Sequence, residues 1–201
     1  NYKKKINILE VAKKLVRQQG WSSDIIKKLV NKNLTSSDLA YFFPNGYTDL
    51  INLALEEINE SLEKKVKKMN IINFTITKKI KKILYMRLEI LNEDKIFYKK
   101  TFNHLLLPQN SKIMKKNLYN SINSMWYLAG DNSTDFNFYT KRITLAVIYV
   151  NAVFVFFNKD IQKANLNIDN NLKKISKIPK IKDRFSFIKD NLPIFLKGIL
   201  N

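Results

Sequence analysis

The sequence predicts an all-α protein, and three observations carry that reading. Apolar residues recur at three- and four-residue spacing through nearly the whole of its 201 residues. Only 4 glycines and 4 prolines interrupt them, few for the turns of a β-rich fold. A hydrophobic share of 45% is enough for a core, in one domain or in one domain with a small appended module.

The first elements are short. In "KINILEVAKKLVRQQGWSS", Ile8, Leu9, Ala12, Leu15 and Val16 share a helical face, and Gly20 supplies the stop. Ser22 or Ser23 caps "DIIKKLV", a break at "NKN" follows, and "TSSDLAYFF" makes a third helix ended by the turn "PNG". Three short helices with tight connections predict a helix-turn-helix unit.

Longer stripes follow. Ile51, Ala54, Leu55, Ile58 and Leu62 lie opposite Glu56, Glu60, Glu63 and Lys64, and Ile76, Ile80, Ile83, Leu84 and Leu88 form a second stripe. "DKIFYKKTFNHLLL" is a third, stopped by Pro108, and Ile113, Leu118, Ile122, Met125 and Trp126 mark a fourth. Residues 132 to 157 read as one long helix, capped by Asn132 or Ser133, with Asp135 at the positive end of its dipole. Its second half, "ITLAVIYVNAVFVFF", is apolar almost all round. Such a helix is buried in a core, packed at a subunit interface, or wrapped around an apolar ligand. A polar connection, "NKDIQKANLN", is expected next, then a short helix and a basic tail.

The composition excludes several chemistries. Without cysteine there are no disulfides or thiolate metal sites, and His104 alone rules out a multi-histidine site. Glu56, Glu57, Glu60 and Glu63 resemble a di-iron helix, but that site also needs Glu-x-x-His on other helices, so they read as a solvated face. His104, in "TFNHLLLP", is expected to be a satisfied, half-buried histidine rather than a general base. No glycine-rich phosphate loop and no secretion signal stand out, and no apolar run is expected to span a bilayer, which takes about 20 residues. The chain thus reads as soluble or peripheral, in a reducing compartment. The net charge of +19 suits nucleic acid, an anionic membrane or an acidic protein. The surplus of lysine, asparagine and isoleucine is also what AT-rich coding produces, so the charge permits a partner without choosing one.

The tail reads two ways. Phe185, Ile188, Leu192, Phe195, Leu196 and Ile199 recur at roughly helical spacing among Lys182, Arg184, Lys189 and Lys197. A basic amphipathic segment of this kind lies in an anionic headgroup layer or docks on its own domain. Pro193 breaks a continuous helix unless it sits in a first turn capped by Asp190 or Asn191.

Two stretches resemble known families. "ILEVAKKLV", "GW" and "DIIKKLVNKNLTSSDLAYFFPNGYTDL" are similar to the DNA-binding end of TetR-type regulators, with Tyr41 and Phe43 where those carry an aromatic pair. "AGDNSTDFNFYTKRITLAVIY" resembles more specifically the signature of the ubiquinone-biosynthesis accessory proteins of the ninth Coq protein family, known in bacteria as rpsU-divergently transcribed proteins. "YFFPNG" and "LLLP" also resemble that family, and the likeness runs from about Ile8 to Phe157.

The resemblance implies a TetR-like fold, all-α and homodimeric, with a degenerate helix-turn-helix unit over residues 1–47. A helical lipid-binding and dimerisation domain over 48–181 and a basic amphipathic segment over 182–201 complete it. It implies a non-enzymatic protein without cofactor that binds isoprenoid quinone or phospholipid and presents quinone intermediates to the demethoxyubiquinone hydroxylase. Its place would be peripheral to the membrane, on the cytoplasmic face in bacteria or the matrix side in mitochondria. The family's hydroxylase patch matches Met125, Asp135, Tyr139 and Arg142, with Phe138 at its tryptophan position. Phenylalanine keeps the stacking face and loses the indole donor. Positions 135, 138, 139 and 142 fall on one helical stripe, and aromatics with arginine are the composition of interface hot spots. Spacing alone favours a cap, core aromatics and a solvated arginine, and the resemblance reverses that. The resemblance likewise nominates Trp126, Tyr127, Tyr149, Phe154 and Phe157 as lipid-cavity residues; spacing does not separate a cavity from a filled core.

A TetR-type DNA-binding regulator with an apolar ligand pocket is the alternative. Its third helix would need long polar side chains aimed at base edges. The residues expected to be exposed there are Thr35, Ser36, Ser37 and Asp38, and Asp38 is repelled by phosphate. Lys27, Lys28 and Lys32 offer salt-sensitive backbone contacts at most, so no specific nucleic acid is expected.

Overall fold

The structure is a computed structural model and describes residues 2–30, 34–69, 73–131, 136–177 and 190. The described residues form α1 Tyr2–Gln19, α2 Asp24–Val30, α3 Ser36–Phe42, α4 Tyr47–Lys68, α5 Ile76–Glu93, α6 Lys95–Leu105, α7 Ser111–Leu128, α8 Phe136–Asn158 and α9 Ile161–Ser176. A 3-10 turn at Pro108–Asn110 joins α6 to α7, and no strand occurs among the described residues. The fold is all-α, as the periodicity predicts.

The chain divides into two compact units, Asn1–Ile58 with Asp94–Asn117, and Asn59–Glu93 with Leu118–Asn201. The sequence-based boundary at residue 48 follows the chain, whereas these units follow packing: α4 and α7 each contribute one part to either unit.

In the first unit, Leu9, Ala12 and Val16 of α1 are fully buried with Ile25 and Leu29 of α2. Gly20 ends α1 at φ +82°, a conformation only glycine adopts without strain, and its N–H donates to the Val16 carbonyl. Arg17 grips Asp94 with Nε at 3.0 Å from both carboxylate oxygens and Nη2 at 2.6 Å from one. Asp94 also caps α6 by accepting from the Phe97 N–H. Lys13 is buried between Glu10 at 2.7 Å and Glu57 at 2.8 Å. Burial lowers its pKa, but the two carboxylates outweigh burial and leave it raised. Glu57 therefore leaves the solvated face expected of its carboxylate run, and Glu63 pairs with Lys67 at 2.6 Å.

The second unit is built on α8, with Leu145, Val147, Ile148, Val153 and Phe156 buried. Two expectations change here. Residues 161–176, read as a polar connection and a short helix, are one amphipathic helix: Ala164 and Ile168 are buried, and Asp160 caps it by accepting from the Lys163 N–H at 2.7 Å. Its asparagines masked the apolar stripe. The span Phe138–Asn158 is also long and apolar enough to cross a membrane, contrary to expectation, and its most apolar 18-residue span has a mean hydropathy of 1.5. Half of that span is buried within the protein, as in a core helix.

Arg87, on α5, is only 1% exposed. Its guanidinium donates to the Tyr149 hydroxyl at 2.9 Å, Asn59 Oδ1 at 2.8 Å and Ser121 Oγ at 2.7 Å. These neutral groups stand in for the water that a buried cation gives up. They also cross-link α4, α5, α7 and α8 within the unit.

Candidate functional site

The turn between α7 and α8 is organised by Gly130 and Asp131. Gly130 lies at φ +82°, its N–H donates to the Tyr127 carbonyl at 2.9 Å, and the Asp131 N–H reaches back to the Trp126 carbonyl at 3.1 Å. This pair of bonds is a Schellman stop, which satisfies carbonyls that a helix end otherwise leaves open. It also turns the Asp131 carboxylate inward, where it is 5% exposed and accepts from Lys141 at 2.7 Å and Arg142 at 3.4 Å.

Arg142 is held from several sides. Nε and Nη2 donate to Asn123 Oδ1 at 3.1 and 3.0 Å, Nη1 donates to the Phe138 carbonyl at 3.3 Å, and the guanidinium lies 3.3 Å from the centre of the Phe138 ring. Its side chain is 11% exposed. Tyr139, edge-on to Phe138 at 5.2 Å, is 66% exposed. Of the resemblance-nominated patch, Tyr139 thus presents its ring to solvent and Phe138 is half-buried. Arg142 is mostly internal, Met125 is fully buried, and Asp135 lies outside the described residues. Asp131 has no counterpart among the sequence-based candidates. It sits in a loop, where no periodicity marks a residue as internal.

An apolar cleft of about 230 Å³ opens in the same unit. Its lining comes from Ile76, Thr77 and Ile80 of α5, Trp126 of α7, Lys141, Thr144, Leu145 and Ile148 of α8, and Leu172, Ile175 and Ser176 of α9. The four α8 positions are one helical stripe, but α8 is so apolar that no face of it stands out in the sequence. Among the five lipid-cavity candidates, Trp126 lines this cleft. Tyr149 is tied to Arg87, Phe157 is buried against Phe156 at 5.0 Å between ring centres, and Tyr127 and Phe154 are 78% and 46% exposed. The membrane candidates Phe185, Ile188, Leu192, Phe195, Leu196 and Ile199 lie outside the described residues.

The other candidates look structural. Thr35 accepts from the Asp38 N–H at 3.0 Å and donates to its carboxylate at 2.8 Å, so these two residues cap α3 together. His104 packs edge-on against Tyr47 at 5.4 Å; burial lowers its pKa, and its buried Nε2 has no partner, so it is not the satisfied histidine expected. No cluster of three His, Cys, Asp or Glu that would suit a metal occurs among the described residues.

Fold and cleft together define a class: an all-helical protein with an apolar cleft beside its least polar helix. Residues 112–179, which include Trp126 and all of α8 and α9, match the COQ9 family model. The chain is 30% identical over 149 residues to the mitochondrial ubiquinone biosynthesis protein COQ9 of Bos taurus, covering 71% of this chain and 47% of that protein. The Homo sapiens protein is 29% identical over 149 residues, with coverage of 71% and 47%. The probable coq9 of Dictyostelium discoideum is 25% identical over 176 residues, 80% of this chain and 55% of that protein. Over this region the chain is similar to the COQ9 family of ubiquinone-biosynthesis proteins. It spans about half the length of the curated relatives it matches.

Proposed function

We propose that this chain is a non-enzymatic accessory factor of ubiquinone biosynthesis that holds an isoprenoid quinone or phospholipid and presents quinone intermediates to the demethoxyubiquinone hydroxylase. The observation that carries the reading is the cleft itself. Its α7, α8 and α9 walls all fall within the family-matched residues, and its lining is mostly aliphatic. A concave, apolar surface with few polar groups is what a lipid ligand requires.

The exposed face of Phe138 and Tyr139 is the hydroxylase contact in this reading, since an aromatic pair supplies contact area at low entropic cost. The protein acts as a homodimer at the membrane surface, on the matrix side in mitochondria or the cytoplasmic face in bacteria. The mitochondrial names of the curated relatives support the first setting.

The test is native mass spectrometry of the purified protein followed by organic extraction. Co-purifying isoprenoid quinone or phospholipid supports the reading. A lipid-free protein that also takes up neither ligand from mixed micelles would return the cleft to a packing defect.

A further inference from the structure

We infer that the cleft recognises a neutral oxygen acceptor, of the ketone or quinone carbonyl class, through the Trp126 indole N–H and the Thr144 hydroxyl. This rests on the lipid-binding reading and specifies the chemistry of the bound end. Trp126 and Thr144 are each 8% exposed and both line the cleft. Trp126 Nε1 and Thr144 Oγ1 are buried with no hydrogen-bond partner in the protein.

Buried polar atoms are normally paired, and two orphans on residues that line one small cleft ask for a missing partner. A helical threonine can bond the carbonyl one turn back; Thr144 has no such bond. Its hydroxyl is therefore available to turn toward the cleft. The indole N–H can only donate, so whatever pairs with it must accept.

Among the described lining residues no charge is left for a ligand alone, which narrows the class. Lys141, in the same lining, already bonds the buried Asp131 carboxylate at 2.7 Å. Neutral donors suit a carbonyl oxygen, whereas a phosphate or carboxylate buried here would need a charged partner. At about 230 Å³ the cleft is smaller than the roughly 300–1,000 Å³ of drug-sized pockets, so it takes one end of a ligand and not a whole prenyl chain.

The experiment compares a short-chain prenylated benzoquinone, an isoprenoid hydrocarbon of matched length and a fatty acid. Each is titrated into the full chain and into Trp126→Phe, Thr144→Val and Thr144→Ser. The expected result is tighter binding of the quinone than of either other probe by wild type. Trp126→Phe and Thr144→Val should each lower quinone affinity by about tenfold, the equivalent of one hydrogen bond, while hydrocarbon affinity holds and Thr144→Ser retains the preference. A quinone preference that survives both removals, no preference in wild type, or a preference for the fatty acid overturns this inference and leaves lipid binding standing. Failure of all three probes to bind wild type refutes lipid binding, and this inference with it.

Discussion

Replacing Arg142 by alanine separates a structural arginine from a displayed one. The change removes both bonds to Asn123, the bond to the Phe138 carbonyl, the ion pair to Asp131 and the cation stacked 3.3 Å from the Phe138 ring. Not all of this is lost stability. Lys141 still neutralises Asp131 at 2.7 Å, and half-buried Asn123 can be rehydrated. What remains is about one charge-assisted hydrogen bond, roughly 1.5–3 kcal/mol, and one cation–π contact on a half-buried ring, roughly 0.5–1 kcal/mol. The expected cost is about 2–4 kcal/mol. In a chain of this size each kcal/mol moves Tm by about 2–4 °C, so the Arg142→Ala midpoint should fall by about 4–16 °C in a calorimetric or circular-dichroism melt. Tyr139→Ala is the control. Its ring is 66% exposed, and removing its edge-on packing against Phe138 should cost about 1 kcal/mol or less. An unchanged melt for Arg142→Ala, or an equal fall for Tyr139→Ala, would refute the reasoning. Under the proposed function, only Tyr139→Ala then reports cleanly on hydroxylase affinity, because Arg142→Ala disturbs the surface on which the partner would dock.

Three further outcomes are expected. Arg87→Ala leaves Tyr149, Asn59 and Ser121 without their donor and should cost about 3–5 kcal/mol in urea unfolding; Arg87→Met should cost less, since it fills the space and buries no charge. Burial pushes the Tyr98 hydroxyl up to about 12, above its ordinary 10.0, so the folded state resists losing a proton that the unfolded chain gives up. Stability from this group is whole below pH 10 and falls by about 3 kcal/mol toward pH 12. Tyr98→Phe should flatten that part of the alkaline unfolding curve. Gly130→Ala forces a side chain into φ +82° and should lower stability by about 1–2 kcal/mol in the same urea assay. The cost is backbone strain alone, because the added methyl meets nothing nearer than Lys79 Nζ at 4.0 Å.

Local chemistry was legible residue by residue. The Gly20 stop and the apolar α8 follow from spacing and helix-end preferences that act over a few residues. The cleft was not legible for the converse reason. A helix apolar on every side carries no mark of which stripe will face a gap, so Thr144, Leu145 and Ile148 looked like any other core residues. Asp131 was missed because an aspartate after a glycine reads as a solvated loop until the Schellman turn carries it inside.

The sequence by itself determined the all-α class and most of the helices, the helix stops at glycine and the family signature, because backbone preference and hydrophobic period are properties of neighbouring residues. Only the tertiary structure decided that Arg142 is a lock and Tyr139 a display, though they lie three residues apart. It also decided that Trp126 and Thr144 share a cleft with their polar atoms unpaired. Those outcomes depend on which distant helix supplies or withholds a partner, and no local pattern encodes that choice.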